Sequence, residues 1–329
     1  MTSRIPNHFH FVWLGSRFPL VNQLAIESVL LRCEGAKATL WHTDDLSSET
    51  EFDVLRRRPG FFAQRLDARR LRDELEAASA VDETRFDLED LVATFEALTE
   101  PAGRANVARL VILWRHGGVY LDLDTLTLRD FAALREHRGF IGRERIIWPH
   151  GSRDRLLYRL VTGQLMGLAR NTCARWRVGL RVFPKMEGAY PLALNNAMMG
   201  FEPRHPFLAE ALGRISEIDT EERRRRYRLG THLVQEVMRG RDWGPSVRRL
   251  PPGACYPLGP VMSRHYFTPL ADLGRVADRL LGSSTAVHWY ASLAELSTFD
   301  QAAIEGDADR TLFGRLCAAV LAESAAEWG

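Results

Sequence analysis

One segment of this 329-residue chain constrains its fold more than any other: RANVARLVILWRHGGVYLDLDTLTLRDF, which begins at residue 104. Its apolar residues recur at helical spacing from Val107 to Trp114, and the glycine pair after His116 ends the predicted helix. The next residues, GVYLDLDTLTL, predict a strand that runs into Asp122 and Asp124. A helix that leads directly into an apolar strand is typical of an α/β sheet.

The flanking segments predict further strands and helices of the same sheet. A strand is expected in IPNHFHFVWLG, a helix in NQLAIESVLLRC and a second strand in ATLWHT. FIGRERIIW reads as another strand, and the chain has helical character from Ala303 onward. A strand, a helix and a strand in succession predict parallel pairing.

Residues 46–100 have a different pattern. They are rich in Arg, Glu, Leu and Ala at helical spacing, which predicts a helical insertion over the sheet, with charged residues on the solvated helix faces. No linker clearly separates two domains, so residues 1–329 are expected to form a single domain.

Composition limits the classes of function. Lys and Arg number 44 and Asp and Glu 42, a balance that argues against nucleic acid as the main partner. The four cysteines lie far apart without a CxxC pair, so neither a zinc site nor a disulfide framework is expected. No signal peptide or transmembrane segment is visible, and these features together predict a soluble, cytoplasmic protein.

The acidic pair is the most informative chemical feature. Asp122 and Asp124 are two residues apart on the predicted strand, so their side chains are expected to project to one side. Open α/β folds bind ligands at the carboxyl ends of their strands. A divalent cation held there by carboxylate oxygens would in turn hold a diphosphate. A DxD triplet alone is common in solvated loops, but two like charges at a buried strand end are unfavourable without a cation.

A phosphatase of the haloacid dehalogenase type is an alternative, because it too begins with an acidic pair at a strand end. Its motif has Thr or Val two residues after the second Asp, where this chain has Leu126. A convincing second acidic pair does not follow downstream. The sequence therefore favours a metal-diphosphate site over a phosphatase site, and the phosphatase stays an alternative.

Five segments resemble motifs of one family, in the same order along the chain. The family is that of the retaining glycosyltransferases with a DXD sugar-binding region, which includes globotriaosylceramide synthase-like α-1,4-galactosyltransferases and α-1,6-mannosyltransferases. The segments are IPNHFHFVWLG, RANVARLVILWRHGGVYLDLDTLTL, NNAMMGFEPRHPFL, RLPPGACYP and TAVHWYAS. The helical insertion and the C-terminal tail match no motif of the family.

The resemblance implies a GT-A-type fold, with a Rossmann-like central sheet and helices on both faces. It also implies a metal-dependent, retaining hexosyltransferase that uses Mn²⁺ or Mg²⁺ and a nucleotide-sugar donor, with a UDP-hexose favoured. The acceptor is a glycan, a natural product or a protein, and the sequence does not select among them. A non-catalytic nucleotide-sugar or glycan-binding protein on the same fold is the alternative from another class.

The resemblance also implies roles for individual residues. Asp124 would bind the metal directly, and Asp122 would bind the donor and touch the metal directly or through water. His288 is expected as a third metal ligand or as a diphosphate contact. Arg109 would reach the donor sugar, which agrees with the need of an Arg on an apolar helix for a polar partner. Tyr120 is either a donor contact or a packed strand aromatic.

Further donor contacts are expected from the opening motif and from the asparagine segment. Trp13 would stack on uracil, with a core tryptophan as the alternative. The amides of Asn195 and Asn196 would hold sugar hydroxyls or cap a loop. His10 is expected to be a satisfied structural histidine.

Two positions depart from the family pattern. Asn106 stands where the family usually has Asp; its amide still bonds a hydroxyl but carries no charge, which bears on donor choice and activity. The family tryptophan after the C-terminal histidine falls at Tyr290, with Trp289 beside it. Either aromatic ring is therefore a candidate to close over the diphosphate.

Overall fold

The computed structural model describes residues 4–79, 86–148, 156–291 and 296–329. The strands are β1 (His8–Trp13), β2 (Lys37–His42), β3 (Phe61–Arg65), β4 (Gly118–Leu121), β5 (Thr125–Thr127), β6 (Gly139–Arg145), β7 (Leu192–Phe201), β8 (Arg248–Arg249) and β9 (Ala286–His288). The α-helices are α1 (Leu20–Arg32), α2 (Thr50–Arg56), α3 (Ala68–Ser79), α4 (Leu88–Ala97), α5 (Pro101–His116), α6 (Ala132–Arg135), α7 (Gly163–Arg175), α8 (Gly179–Met186), α9 (Pro206–Glu217), α10 (Thr220–Arg223), α11 (Leu233–Gly240), α12 (Pro252–Cys255), α13 (Leu273–Leu281), α14 (Gln301–Asp307) and α15 (Leu312–Trp328).

A seven-stranded sheet forms the centre of the fold, in the order β3-β2-β1-β4-β7-β6-β8. The four strands from β3 to β4 are parallel, whereas β7 runs antiparallel to both β4 and β6. The expected α/β fold class with a mostly parallel central sheet is confirmed. A second, two-stranded sheet pairs β5 with β9, and this small sheet lies at the acidic pair.

Helices cover both faces of the central sheet. Successive side chains of a strand point to opposite faces, and apolar residues occur on both of them. In β1, Phe9 and Phe11 pack with residues of α1 and α2, whereas Val12 packs on the opposite side with residues of α4, α5 and α9. A third apolar cluster joins the outer side of α1 to β9 and to the C-terminal helices α14 and α15. The predicted C-terminal helical character is confirmed.

Steric constraints explain why two glycines lie between α5 and β4. Gly117 and Gly118 have φ values of +63° and +94°, in the left-handed region where a side chain is strained. A Cβ atom at Gly118 would lie 2.2 Å from the carbonyl oxygen of His8 on β1. The pair therefore lets α5 reverse directly into β4, which aligns the acidic residues after β4 with the end of β1.

The predicted helical insertion at residues 46–100 contains α2, α3 and α4, but it also contains a strand that the sequence pattern did not indicate. This strand, β3, pairs with β2 and is the edge strand of the sheet formed by the described residues. Only Phe61 of its two phenylalanines is buried, while 47% of Phe62 is exposed. An edge strand with one buried residue and charged neighbours has no strong alternating pattern, which explains why it was missed.

The four cysteines are all buried with free thiols. Burial raises the pKa of the Cys33 and Cys255 thiols to about 12, so both are neutral core residues at ordinary pH. Within the described parts of the chain, no helix is long and apolar enough to cross a membrane.

Candidate active site

The acidic pair lies in a tight turn between the two sheets. β4 ends at Leu121 and β5 begins at Thr125, whose N–H and hydroxyl both donate to the carbonyl oxygen of Asp122, at 3.2 Å and 2.7 Å. The acids therefore lie just beyond a strand end, and the strand predicted across GVYLDLDTLTL is divided at them into β4 and β5. The turn, and not the two-residue period of a strand, brings the carboxylates of Asp122 and Asp124 together.

His288 joins this turn from the far end of the chain. It ends β9, where it pairs directly opposite Thr125 of β5 in the antiparallel small sheet. Its Nε2 lies 3.0 Å from Oδ1 of Asp124, while Oδ2 of Asp124 accepts a hydrogen bond from the N–H of Ala291 at 2.8 Å. The structure thus brings together two of the predicted metal ligands, Asp124 and His288, from distant parts of the chain.

The three side chains can hold a divalent metal ion. One ligand atom from each of Asp122, Asp124 and His288 lies within 4.8 Å of the other two. Two carboxylates and one imidazole form a donor set suited to a first-row divalent cation such as Mn²⁺. Nδ1 of His288 is buried and has no hydrogen-bond partner among the described residues, so this ring has bonding capacity that the fold does not use.

The charges of the cluster are arranged to attract a cation. Burial raises the pKa of Asp122, and the neighbouring charge of Asp124 adds to this effect against the opposing pull of Arg109. Burial also acts to raise the pKa of Asp124, but His288 outweighs it and leaves that pKa below its ordinary value. Burial acts to lower the pKa of His288, yet the two carboxylates raise it above its ordinary value. The carboxylates therefore favour positive charge between them.

Arg109 holds the side chain of Asp122 in place through an ion pair. It lies on α5, is only 4% exposed, and its guanidinium stands 3.1 Å from Oδ1 of Asp122. The same guanidinium donates to the carbonyl oxygen of Asn196 at 2.6 Å and lies 4.3 Å above the ring of Tyr120. The Tyr120 hydroxyl donates to the same Asp122 oxygen at 2.8 Å. Arg109 and Tyr120 thus fix Asp122, and their direct contact with a donor remains a prediction.

The asparagines form a separate polar contact between α5 and β7. Nδ2 of Asn196 donates to Oδ1 of Asn106 at 2.8 Å, and Oδ1 of Asn195 accepts from the N–H of Ala197, also at 2.8 Å. Asn195 and Asn196 are nearly buried, whereas Asn106 is partly exposed. Of the three, Asn106 therefore offers its amide most readily to a ligand.

The two tryptophans expected near the donor lie in different environments. Trp13 ends β1, is partly exposed, and its Nε1 donates to the carbonyl oxygen of Arg17 at 2.9 Å. Trp289 is fully buried, with its ring edge-on to Tyr266 and Phe313. Only its backbone reaches the cluster, through an N–H that donates to the carbonyl oxygen of Asp124 at 2.8 Å. The Trp289 ring therefore lies in the core, and not where the sequence predicted an aromatic ring over the diphosphate.

His10 is a satisfied structural histidine, as predicted. It is fully buried; its Nε2 bonds the carbonyl oxygen of Gly117 at 3.0 Å, and its Nδ1 accepts from the indole of Trp41 at 3.3 Å. Burial, together with His8 and His116, holds the pKa of His10 well below its ordinary value. A neutral ring of this kind stabilises the start of β4.

A buried carboxylate that the sequence motifs did not indicate is Glu144 of β6. Its Oε2 accepts a hydrogen bond from the hydroxyl of Tyr290 at 2.5 Å. Tyr290 has a φ of +57°, and its ring centroid lies 4.1 Å from that of His288. Burial raises the pKa of Glu144, against the opposing effects of Tyr290 and His288. A charged residue inside the apolar segment FIGRERIIW was the available sequence signal.

Residues 21–141 match the family described as the glycosyltransferase sugar-binding region containing a DXD motif. The matched range includes Arg109, Asp122 and Asp124. The resemblance to the DXD-containing glycosyltransferases is confirmed. The expected enzyme class, a glycosyltransferase, is confirmed by the same match. No curated protein matches the chain.

The chain is also similar to several solved glycosyltransferase structures, at low sequence identity. Mouse xyloside xylosyltransferase 1, in its apo form, is 14% identical with a TM-score of 0.47, and the match covers 87% of this chain and 98% of that one. The galactosyltransferase LgtC in complex with donor and acceptor sugar analogs is 11% identical with a TM-score of 0.44, and the match covers 95% of each chain. The ligand-free glycosyltransferase domain from the YGT toxin is 12% identical with a TM-score of 0.44, over 76% of this chain and 80% of that one.

Proposed function

We propose that this glycosyltransferase is a metal-dependent, retaining hexosyltransferase that moves a hexose from a UDP-linked donor to an acceptor hydroxyl. The observation that carries the proposal is the cluster of Asp122, Asp124 and His288, whose ligand atoms lie within 4.8 Å of one another. It stands at the turn that follows β4, the strand end where an open α/β sheet binds its ligands.

Each residue of the cluster has a distinct task in the proposal. Asp124 and His288 hold a Mn²⁺ or Mg²⁺ ion, which supplies positive charge for the departing diphosphate. Asp122, fixed by Arg109 and Tyr120, completes the ligand set and orients the donor. The buried setting strengthens these electrostatic interactions, because little water competes with them.

Retention of configuration is proposed from the sequence resemblance. In a front-face displacement, the departing phosphate takes the proton of the acceptor hydroxyl, so a dedicated protein base is unnecessary. The two carboxylates of the cluster are then free to serve as ligands throughout. Glu144 has a positioning role in this scheme, because its bond to Tyr290 fixes the segment that carries His288 and Ala291.

The donor end is proposed from two residues. Trp13 offers a flat, partly exposed ring at the end of β1, the neighbour of β4 in the sheet, and a ring of this kind suits a stacked uracil. Asn106 offers an uncharged amide to a sugar hydroxyl, one turn before Arg109 on α5. A cytoplasmic location, also expected from the sequence, remains a prediction.

The proposal is tested with a panel of UDP- and GDP-sugars in the presence of Mn²⁺ or EDTA. A true donor is expected to raise the melting temperature in Mn²⁺ but not in EDTA, because ligand binding stabilises the folded state by mass action. Release of UDP or GDP from the same donor, with water or an added acceptor, measures turnover. The anomeric configuration of the product, determined by NMR, tests retention.

The outcomes separate the competing functions. Donor-dependent stabilisation without release of UDP, across all acceptors tried, would favour a non-catalytic nucleotide-sugar-binding protein. Release of inorganic phosphate from simple phosphoesters would favour a phosphatase. Donor turnover that is equal in EDTA and Mn²⁺ would contradict the metal-dependent mechanism.

A further inference from the structure

An apolar surface covers the helical segment that begins at residue 156 and continues through α7. Within the described residues, nine of the twelve exposed large hydrophobic side chains lie between residues 156 and 182. A monomeric protein usually exposes such side chains singly, and a contiguous group marks a surface that contacts something else. The rest of the described surface has only three, among them Phe62 on the edge strand β3.

The apolar side chains share one face of the helix. Leu157, Val161, Leu165 and Leu168 are spaced by three or four residues and are 75%, 46%, 62% and 66% exposed. A surface helix of a globular protein normally turns its apolar stripe toward the core. In this helix the apolar stripe faces the solvent over three turns.

The inner face of the helix is fixed to the body of the protein by hydrogen bonds. The hydroxyl of Tyr158 donates to the carbonyl oxygen of Ile147 at 2.7 Å, and the hydroxyl of Tyr190 donates to the carbonyl oxygen of Met166 at 2.8 Å. Cys173 and Ala174 are buried beneath the end of the helix. The outward orientation of the leucines is therefore set by specific contacts on the other side.

Exposed basic residues follow the apolar stripe along the chain, at the end of α7 and in α8. Between residues 156 and 186 the sequence has six Lys or Arg and no Asp or Glu, although the whole chain is nearly balanced at 44 against 42. Arg175, Arg177, Arg181 and Lys185 are exposed, and Trp176 between them is 64% exposed. The charge of this surface complements a densely anionic partner.

We propose that this surface, the outward face of residues 156–186, binds the surface of an anionic lipid bilayer. The leucine side chains enter the boundary between headgroups and acyl chains, while the guanidinium groups and the indole of Trp176 remain at the headgroups. A soluble anion would leave the leucines in water, and an uncharged apolar partner would leave the arginines without anions. A bilayer with anionic headgroups satisfies both sets of residues. This inference goes beyond the proposed sugar transfer and does not depend on it.

The test is cosedimentation of the full chain with phosphatidylcholine vesicles that contain or lack phosphatidylglycerol. The chain is expected to bind the anionic vesicles at least about tenfold more tightly, and less tightly as salt is raised. Leu165→Gln with Leu168→Gln is expected to weaken binding about tenfold through loss of apolar insertion. Arg177→Gln with Arg181→Gln is expected to weaken it similarly and to reduce the salt dependence.

Matched controls carry the same changes on other surfaces. Phe62→Gln removes an exposed apolar side chain from β3, and Arg224→Gln with Arg225→Gln removes two exposed arginines. Both controls are expected to bind as the parent does, and the melting temperature of every variant verifies folding.

Equal binding to both vesicle types, or an equal loss in the controls, would overturn the proposal. Self-association that only the leucine variant abolishes, without vesicle binding, would instead assign the surface to a second copy of the chain. Because no donor is present, the result is independent of the proposed transferase activity.

Discussion

Nε2 of His288 lies 3.0 Å from Oδ1 of Asp124, and their segments meet because β9 pairs antiparallel with β5. The same carboxylate accepts the N–H of Ala291 through its other oxygen. Asp124 therefore holds the C-terminal segment against the turn after β4 and also offers a ligand atom to the cluster. A substitution at Asp124 tests both tasks at once.

Asp124→Asn is expected to lower metal-dependent UDP release by about 100-fold or more, because the diphosphate would depart without its full counter-charge. The amide retains an acceptor for the N–H of Ala291, so the loss of unfolding free energy should be only about 1–2 kcal/mol. Steady-state UDP release and thermal unfolding in EDTA measure the two effects. Asp278→Asn, on an exposed face of α13, is the control. Undiminished release by Asp124→Asn would disprove the role of this carboxylate.

Arg109→Lys is expected to reduce both stability and turnover, because a lysine cannot reproduce the contacts of the buried guanidinium with Asp122, Asn196 and the Tyr120 ring. The loss of unfolding free energy should be about 1–3 kcal/mol, measured by urea denaturation. Arg57→Lys, at an exposed site, should change neither property. Full stability with full turnover in Arg109→Lys would show that Asp122 does not depend on this anchor.

Trp13→Ala and Trp289→Phe are expected to affect different properties: the first UDP binding, the second stability. Loss of the partly exposed Trp13 ring should weaken UDP binding about tenfold or more, because base stacking contributes about 1–3 kcal/mol. Trp289→Phe should lower the unfolding free energy by about 1–3 kcal/mol and leave UDP affinity unchanged, because the Trp289 ring is fully buried. Calorimetric titration with UDP and Mn²⁺ distinguishes them. Unchanged affinity in folded Trp13→Ala would make Trp13 a packing residue only.

Glu144→Ala and Tyr290→Phe are expected to lower kcat by similar factors and to be non-additive when combined, because each removes the same 2.5 Å hydrogen bond. The coupling energy should be about 0.5–3 kcal/mol. Glu144→Gln retains an acceptor for the Tyr290 hydroxyl and should recover most of the activity. Separate kcat and KM values for UDP release provide the measurement. Strict additivity of the two changes would remove the positioning role of Glu144.

His205→Asn is expected to make stability less dependent on pH. His205 precedes α9, and its Nδ1 accepts the N–H of Phe207 at 3.1 Å. Burial lowers the pKa of His205 to about 4. As pH falls from about 6.5 toward 4, the unfolded chain binds a proton that the folded chain does not, so stability is lost at up to about 1.4 kcal/mol per pH unit.

Asparagine keeps an N-terminal acceptor for α9 without titrating. Urea unfolding of the parent and of His205→Asn at pH 7, 6 and 5 should therefore show a smaller decline for the variant. Parallel curves for the two proteins would show that other groups cause the acid sensitivity.

The sequence by itself determined the elements whose signals are local. The helical spacing of α5, the glycine pair and the apolar run of β4 follow from periodicity and from the steric demand of positive φ, which neighbouring residues decide. The acidic pair itself is visible in the sequence, although the turn between β4 and β5, and not the strand period, brings its two carboxylates together. The family motifs around these residues added the correct enzyme class.

Only the tertiary structure decided how distant residues meet. The pairing of β9 with β5 brings His288 to Asp124, and the packing of β6 brings Glu144 to Tyr290. Trp13 and Trp289 have the same chemistry, yet one ring is partly exposed at a strand end and the other is fully buried. Burial and long-range pairing depend on how the whole chain folds back on itself, and no local pattern of residues contains that information.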